Sequence, residues 1–393
     1  MTVSTNPCPT PTEILSQLHN RTITLPNLPA LHTSFPLEVS PYLARLRTDV
    51  SDWLTSSMSH IPSTRLSALQ AADFGYFGAT WWARAPYQRL RILTFLAIWI
   101  FTWDDELDES EGEMYREDSE EAAELYREET GEYIRCCLGL SCDVGVVPGS
   151  RIVQNFETIG EGIRRVFDRG KAKLCIIDPL ARSATIADMV LNAEQCARLA
   201  YHITAYINGC RTEESFRHAQ SLPTLSQYWS YRLHSSAVCV TLAVNEFAFP
   251  GMRLPSHIMN SALMEELWTS ANVVVSTVND LLSLQKEVRG GNAGSMVPIV
   301  FARLGAGIGN GDDAQTAVDF TAGFLEENVA RFEDAAEEIV RMDWGCSFKE
   351  GKMLWEFVDG VRLYVSGNLS WSLTGKRYGL QGKDLSRGVQ VTL

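Results

Sequence analysis

A group of carboxylates follows a strongly apolar segment and could bind a divalent cation. Residues 93–103 are almost all apolar or aromatic, and Asp104, Asp105 and Asp108 come directly after them. On a helix, Asp104 and Asp108 lie one turn apart on the same face, and Asp105 lies one step round. Carboxylate oxygens are the ligands that Mg²⁺ prefers, and this ion also binds phosphate oxygens. The pattern alone is equally typical of a solvated helix end.

Three further oxygen-bearing side chains recur at four-residue steps far downstream. Asn279, Ser283 and Glu287 fall at positions i, i+4 and i+8, so on an α-helix they drift by only about 40° per step. They predict one polar stripe that interrupts an otherwise apolar segment. Lys286 lies beside this stripe and could reach an anion that a bound metal holds. An isolated match of this kind is more typical of an ordinary polar helix face.

The two groups together indicate a divided metal site, with a diphosphate clamped between two helices. The motifs Asp104-Asp105-x-x-Asp108 and Asn279-x-x-x-Ser283-x-x-Lys286-Glu287 resemble the two metal motifs of class I terpene synthases, particularly the fungal and bacterial sesquiterpene cyclases. The resemblance spans about residues 70–380. It extends to Arg232, to Trp371 within Gly367-Asn368-x-x-Trp371-Ser372, and to the pair Arg377-Tyr378. The chain departs from the family pattern at Ser235 and Ser236, where Asp or Thr followed by Gly is common.

The resemblance implies a magnesium-dependent terpene synthase. Such an enzyme ionises a linear prenyl diphosphate, here farnesyl diphosphate, and cyclises the cation to a sesquiterpene hydrocarbon or alcohol while diphosphate is released. The resemblance implies three Mg²⁺ ions, with metal ligands drawn from Asp104, Asp105, Asp108, Asn279, Ser283 and Glu287. It also implies that the diphosphate is held by Arg232, Lys286, Arg377 and Tyr378.

Aromatic side chains are candidates for stabilising the carbocation. A cation over a desolvated aromatic face is stabilised by about 0.5 to 2 kcal/mol. Phe101 lies one turn before Asp104, so it is predicted to face the same cavity. Trp371 and the aromatic residues within 74–77 are further candidates. Ordinary core packing is the alternative role for each of them.

The periodicity of the chain predicts an all-α fold. From about residue 41 onwards apolar residues recur at three- and four-residue steps, and strand-like alternation is rare. Residues 1–40 are rich in Pro, Thr and Ser. We therefore expect an irregular N-terminal arm over residues 1–40 and a single all-α domain over residues 41–393 with roughly ten or more helices. The resemblance implies a class I terpenoid synthase bundle around a central apolar cavity.

Composition restricts the partners and the compartment. The 393 residues include 48 acidic and 34 basic ones, giving a net charge of −14. This balance argues against a nucleic-acid partner, which requires clustered Lys and Arg. Residues 92–103, the longest apolar stretch, are too short to span a bilayer, and residues 1–15 do not resemble a secretory signal. We expect a cytoplasmic enzyme whose partner is a small-molecule prenyl diphosphate. The sequence carries no signal of oligomeric state.

Four alternatives have different signatures. A prenyl chain-elongating synthase shares the helices and the metals but uses two aspartate-rich motifs, whereas the second motif here is of the Asn/Ser/Glu type. A diterpene cyclase acting on geranylgeranyl diphosphate would share the whole pattern. A protonation-initiated cyclase is disfavoured because the sequence lacks Asp-x-Asp-Asp. A Ca²⁺-binding helical scaffold would leave Arg232, Lys286 and the pair Arg377-Tyr378 unexplained.

Overall fold

The computed structural model describes residues 9–113, 119–141, 147–172, 181–219, 221–304, 313–383, 385 and 387–393. Side chains are described for these residues except 107–113, 119–120, 165–172, 181–192 and 313. Within these ranges nearly all regular structure is helical, as the periodicity predicts.

The described part of the chain forms eighteen α-helices, one 3₁₀ helix and two short strands. The first ten helices are α1 (Pro11–Leu18), α2 (Leu28–Leu31), α3 (Leu43–Ser57), α4 (Ser63–Ala71), α5 (Phe74–Trp81), α6 (Tyr87–Glu113), α7 (Ser119–Cys137), α8 (Arg151–Gln154), α9 (Phe156–Ala172) and α10 (Ala181–Arg217). The others are α11 (Leu225–Ser235), α12 (Val238–Ala243), α13 (Asn245–Ala248), α14 (Ser256–Met259), α15 (Ala262–Arg289), α16 (Met296–Leu304), α17 (Asp313–Arg341) and α18 (Phe348–Thr374). The strands are β1 (Thr22–Leu25) and β2 (Val389–Thr392), and the 3₁₀ helix covers Lys376–Tyr378.

The two helices that carry the predicted metal motifs are surrounded by protein over much of their length. Residues 96–100 of α6 and residues 270–278 of α15 are all buried. The first segment is wholly apolar, whereas the second also buries the polar side chains of Ser270, Asn272, Ser276 and Thr277. Ser261 caps the start of α15 by accepting a hydrogen bond from the Met264 amide, and the helix ends at Gly290 and Gly291. Gly291 has a φ of +79°, which glycine adopts without strain.

Residues 9–40, the described part of the expected N-terminal arm, include the helices α1 and α2 and the strand β1. Helix α1 is followed by β1, which pairs antiparallel with β2, so that Thr22 is opposite Thr392 and Leu25 is opposite Val389. Gln315 of α17 bonds the main chain of Thr24 through both its amide atoms. Residues 22–25 alternate in burial, a period-two pattern that the proline content of this region obscured.

Within the described ranges, every helix is either too short or too polar to cross a membrane.

Candidate metal and diphosphate site

The structure places the second predicted motif on one face of α15. The Ser283 hydroxyl lies 2.6 Å from Oε1 of Glu287 and 2.7 Å from the main-chain oxygen of Asn279. Ser283 is buried, whereas Asn279 and Glu287 are partly exposed. An amide, a hydroxyl and a carboxylate therefore stand together on a helix whose neighbouring positions are mostly apolar.

Glu287 carries a buried oxygen with little hydrogen bonding. Its Oε2 atom has no hydrogen bond of normal geometry, and neither has the Ser295 hydroxyl, which nevertheless lies close enough to the Glu287 carboxylate to lower its pKa. Burial, and then the negative charge of Asp280, raises the pKa of Glu287. A buried carboxylate oxygen without a partner is costly, and a divalent cation would satisfy it. Oxygen ligands of these three types suit a hard cation, so the residues present fit Mg²⁺.

Arg232, predicted to hold diphosphate, lies directly against this motif. Its Nη2 atom donates to Oδ1 of Asn279 at 2.9 Å and to Oδ1 of Asp280 at 3.1 Å. Arg232 thus bonds the same amide oxygen that is the expected metal ligand. A guanidinium at this position adds positive charge beside any anion held at the motif.

Asp280, which sequence reasoning did not select, is the buried partner of Arg232. Its carboxylate is 1% exposed, and its Oδ2 atom accepts hydrogen bonds from the Tyr228 hydroxyl and from the Met296 amide. Burial raises the pKa of Asp280, and the charge of Arg232 opposes that shift. Tyr228 lies one helical turn before Arg232 on α11, so both side chains reach Asp280 from the same helix face.

Arg377 and Tyr378, near the C-terminus, contact both helices that carry the predicted metal motifs, α6 and α15. The Tyr378 hydroxyl accepts a hydrogen bond from Nδ2 of Asn279 at 2.7 Å. The guanidinium carbon of Arg377 lies 5.1 Å from the centre of the Phe101 ring and 5.7 Å from that of Tyr378. Phe101 belongs to α6, one turn before Asp104. The structure therefore brings Arg377, Tyr378, Asn279 and the end of the apolar part of α6 into one region.

The carboxylates of the first motif have different neighbours. Asp104 is exposed, and its Oδ1 atom lies 3.4 Å from the Tyr206 hydroxyl and 3.6 Å from Sγ of Cys210. Asp105 is exposed and lies 3.8 Å from Nη2 of Arg65. Successive residues on a helix differ by about 100° in direction, which explains the separate partners. Asp108 belongs to α6, but its side chain lies outside the described residues.

Four aromatic side chains form a cluster beside Arg377. Phe101 lies 5.2 Å from Phe74 and 5.8 Å from Trp371, and Phe77 lies 5.1 Å from Trp371, all between ring centres. Trp371 is 3% exposed and donates its indole N–H to the main-chain oxygen of Ala72 at 2.7 Å. Phe101 is only partly buried. Phe101 is therefore the member that retains exposed ring surface, while Trp371 is held within the packing.

Lys286 is exposed and lies next to Glu287 on α15. Seven residues after Asn279, it returns to within about 20° of the direction of that residue. Among the side chains that are described, no three His, Cys, Asp or Glu residues are grouped so as to hold a metal ion. The α15 motif is consistent with this finding, because two of its three expected ligands are an amide and a hydroxyl.

Four residues of the site were not selected from the sequence, where their signals were weak: Asp280, Tyr228, Tyr206 and Cys210. Asp280 directly follows Asn279, and Tyr228 precedes Arg232 by four residues. Tyr206 and Cys210 show the same four-residue spacing on α10. Because spacing alone cannot tell which helices meet, only the fold connects these pairs to Asp280 and Asp104.

Comparisons with known proteins find similarity to terpene synthases. Residues 168–331 match the family described as "Terpene synthase family 2, C-terminal metal binding". The chain is 28% identical to the sesquiterpene cyclase hepA of Aspergillus oryzae, over 96% of this chain and 94% of that protein. It is 25% identical to the terpene cyclase braA of Annulohypoxylon truncatum, over 93% and 88% of the two chains. Among solved structures, hedycaryol synthase in complex with HEPES superposes with a TM-score of 0.64 at 18% identity, covering 86% of this chain and 95% of that one.

The helical fold and these similarities support a class I terpene synthase. The protein is therefore an enzyme with a terpene synthase metal-binding region.

Proposed function

We propose that the protein uses Mg²⁺ to ionise farnesyl diphosphate and to cyclise the resulting cation to a sesquiterpene hydrocarbon or alcohol, releasing diphosphate. The observation that carries this proposal is that the Asn279 amide makes two hydrogen bonds. Its oxygen accepts from Arg232, and its nitrogen donates to the Tyr378 hydroxyl. Two candidate diphosphate contacts thus meet at one candidate metal ligand.

Asn279, Ser283 and Glu287 would hold metal on one side of the site, and Asp104, with Asp105 and Asp108, would do so on the other. Three Mg²⁺ ions are proposed, as the family resemblance implies. When bound, Mg²⁺ supplies electrostatic stabilisation of the negative charge that develops on the leaving diphosphate.

The side chains of the protein supply the remaining charge stabilisation. Arg232, Arg377 and Lys286 present positive charge, and Tyr378 presents a hydroxyl, to the diphosphate oxygens. When the allylic C–O bond breaks, its electron pair leaves with diphosphate, so donors fixed beforehand at that position lower the barrier. Arg232 is already fixed by Asp280, which limits the reorganisation needed at the moment of reaction.

The carbocation that remains needs aromatic surface and the absence of stray nucleophiles. Phe101 is proposed to face the cation, because it combines partial exposure with a position one turn before Asp104. Trp371 is proposed to hold the Phe101 ring in place by packing against it within the aromatic cluster. The reaction ends when the cation loses a proton or is captured by water.

Farnesyl diphosphate is the proposed substrate because hepA, which the chain matches over nearly its whole length, is named a sesquiterpene cyclase. We also propose that residues 41–393 form the catalytic domain and residues 1–40 an N-terminal arm, in which β1 pairs with β2 of that domain.

Gas chromatography of extracted products tests the proposal. The purified protein is incubated with Mg²⁺ and farnesyl diphosphate, geranylgeranyl diphosphate, or farnesyl diphosphate plus isopentenyl diphosphate. Cyclic C15 products from farnesyl diphosphate alone, abolished by EDTA, are expected. Products from the C20 substrate only would make the protein a diterpene cyclase, and longer linear diphosphates in the third incubation would make it a chain-elongating synthase.

A further inference from the structure

The helix that carries Arg232 ends in an unusual backbone conformation. Helix α11 stops at Ser235 and α12 begins at Val238, and between them Ala237 has a φ of +57° and a ψ of 6°. A side chain with a β-carbon rarely adopts this left-handed conformation, which glycine tolerates far better. Such conformations persist where surrounding contacts hold them. The break five residues after Arg232 must therefore be fixed by its neighbours.

One buried side chain from α15, Asn272, contacts the end of α11, the linking residue Ser236 and, through Sγ of Cys239 at 3.4 Å, the first turn of α12. Asn272 is fully buried. Its Nδ2 atom donates to the main-chain oxygen of Leu233 at 2.7 Å, and its Oδ1 atom accepts from the Ser236 hydroxyl at 2.8 Å. Leu233 directly follows Arg232, and Ser236 directly precedes Ala237. Asn272 thus ties the last turn of α11 to α15, and removing it would take one hydrogen bond each from the Leu233 oxygen, the Ser236 hydroxyl and the Ser276 hydroxyl.

A second helix approaches the same break from another direction. The Ser235 hydroxyl donates to the Glu213 carboxylate of α10. Gly209 of α10 also lies so close that a β-carbon built on it would be 2.6 Å from the Ser235 nitrogen. The end of α11 is therefore held between α10 and α15, and Asn272 is the contact from the side of the metal motif.

The position of Asn272 on α15 relates the break to the site. Asn272 lies seven residues before Asn279, which places the two residues within about 20° of each other around the helix and about 10 Å apart along it. Asn279 bonds the Arg232 guanidinium, while Asn272 bonds the main chain just after Arg232. One face of α15 therefore contacts both the head group of Arg232 and the backbone that carries it.

We propose that Asn272 is a positioning residue for Arg232. It holds the break between α11 and α12 so that the Arg232 guanidinium lies against Asn279, in position to bind a diphosphate. This inference rests on the proposed function, because it assigns Arg232 to diphosphate binding. Ser236, at which the chain departs from the pattern of its family, acts as the hydroxyl partner of this contact.

The test is a double-mutant cycle on the binding of inorganic diphosphate in the presence of Mg²⁺, measured by isothermal titration calorimetry. Asn272→Ala is expected to weaken diphosphate binding about tenfold, the factor for one weakened charge-assisted hydrogen bond. In an Arg232→Met background the same substitution is expected to have no further effect. Equal losses in both backgrounds, or wild-type affinity in Asn272→Ala, would overturn the proposal.

Two further variants keep the test interpretable. Ser270→Ala is the matched control, because Ser270 is also buried on α15 but bonds only to main-chain oxygens of its own helix. It is expected to bind diphosphate as the wild type does. Should Asn272→Ala fail to fold by circular dichroism, Ser236→Ala removes the hydroxyl contact with Asn272, together with the bond that this hydroxyl accepts from the Val238 amide, and the same cycle with Arg232→Met then decides.

Turnover separates this inference from the proposed function. If the wild type binds diphosphate but forms no product from farnesyl diphosphate, the proposed function fails while the cycle can still be evaluated. If the wild type forms product, KM for farnesyl diphosphate is expected to rise in Asn272→Ala in parallel with the loss of diphosphate affinity. A merely structural role of Asn272 would lower thermal stability without the dependence on Arg232.

Discussion

Asn279 donates a hydrogen bond from Nδ2 to the hydroxyl of Tyr378 at 2.7 Å. This bond connects the motif helix α15 to the 3₁₀ helix after α18, and it leaves the other amide atom, Oδ1, for Arg232. The orientation of the Asn279 amide is therefore fixed from two sides. A side chain whose oxygen is to bind metal benefits from such an arrangement, because the groups around a metal ligand set its direction.

Tyr378→Phe removes this hydrogen bond and keeps the ring beside Arg377. A neutral hydrogen bond contributes about 0.5 to 1.5 kcal/mol, so kcat/KM for farnesyl diphosphate is expected to fall by a factor of about 2 to 12. Steady-state kinetics measures this, with Tyr201→Phe, an exposed tyrosine on α10, as the control. An unchanged kcat/KM would remove Tyr378 from the site.

Glu287→Gln is expected to separate metal binding from stability. The substitution keeps the size of the side chain but removes the charge that a divalent cation needs. The affinity for Mn²⁺, measured by electron paramagnetic resonance, should therefore fall at least about tenfold, and turnover should be lost. Without metal the thermal midpoint should stay constant or rise, because burial raises the pKa of Glu287 and its charge is therefore a cost to folding.

Glu327→Gln, on the exposed face of α17, is the matched control for this experiment. Wild-type affinity for Mn²⁺ in Glu287→Gln would contradict the metal assignment, and a large drop in the thermal midpoint would show that Glu287 is a structural residue instead.

Asp280→Asn tests the buried ion pair behind Arg232. Burial raises the pKa of Asp280 as it does that of Glu287, but Asp280 is paired with Arg232. Its loss leaves the buried guanidinium uncompensated, which costs about 3 to 5 kcal/mol, so the free energy of unfolding measured in urea should fall by about 3 kcal/mol. The control is Glu266→Gln, which breaks the exposed pair with Arg331 and should change the free energy of unfolding by less than about 1 kcal/mol. Equal effects of the two substitutions would mean that Asp280 does not stabilise Arg232.

Sequence spacing predicted the stripe of Asn279, Ser283 and Glu287 because these positions depend only on the geometry of one helix. The contacts made across helices were of a different kind. The bond between Tyr228 and Asp280 and the approach of Cys210 to Asp104 require α11 and α10 to pack at particular places, which periodicity does not encode. Arg232 and Tyr378 were selected through the family resemblance and not through their own spacing.

The pairing of β1 with β2 shows the same limit at a larger scale. Residues 22–25 alternate in burial, yet four residues are too few to separate a strand from a loop, and their partner strand lies at the other end of the chain. Long-range pairing of this kind depends on the whole fold. The all-α class, by contrast, followed from periodicity repeated over many helices.

Phe101→Leu is expected to change the product mixture more than the stability. Phe101 is partly buried and carries the Arg377 guanidinium over its ring, so its loss removes aromatic surface while leucine retains most of the packing. Gas chromatography should show an altered ratio of products or a lower yield from farnesyl diphosphate. Phe320→Leu, an exposed position on α17, is the control, and an unchanged profile in Phe101→Leu would place that ring outside the cavity.

His202 predicts a pH dependence of stability that is independent of catalysis. Burial, and then the positive charge of Arg198, lowers the pKa of His202 to about 4, and its ring lies 5.3 Å from that of Trp268. The unfolded chain, with a pKa near 6.5, takes up a proton first as the pH falls. Stability that is fully present above pH 6.5 is therefore lost progressively down to about pH 4.

Between pH 6.5 and 5 this loss should reach about 2 kcal/mol, since one pKa unit corresponds to about 1.4 kcal/mol. Urea unfolding across that range measures it before most carboxylates titrate. His202→Gln should reduce the dependence because the side chain no longer takes up a proton, whereas His32 and His60, whose pKa values burial also lowers, keep part of it. His257→Gln, which removes an exposed histidine, is the matched control. If His202→Gln kept the slope of the wild type, the acid sensitivity would have to arise from other groups.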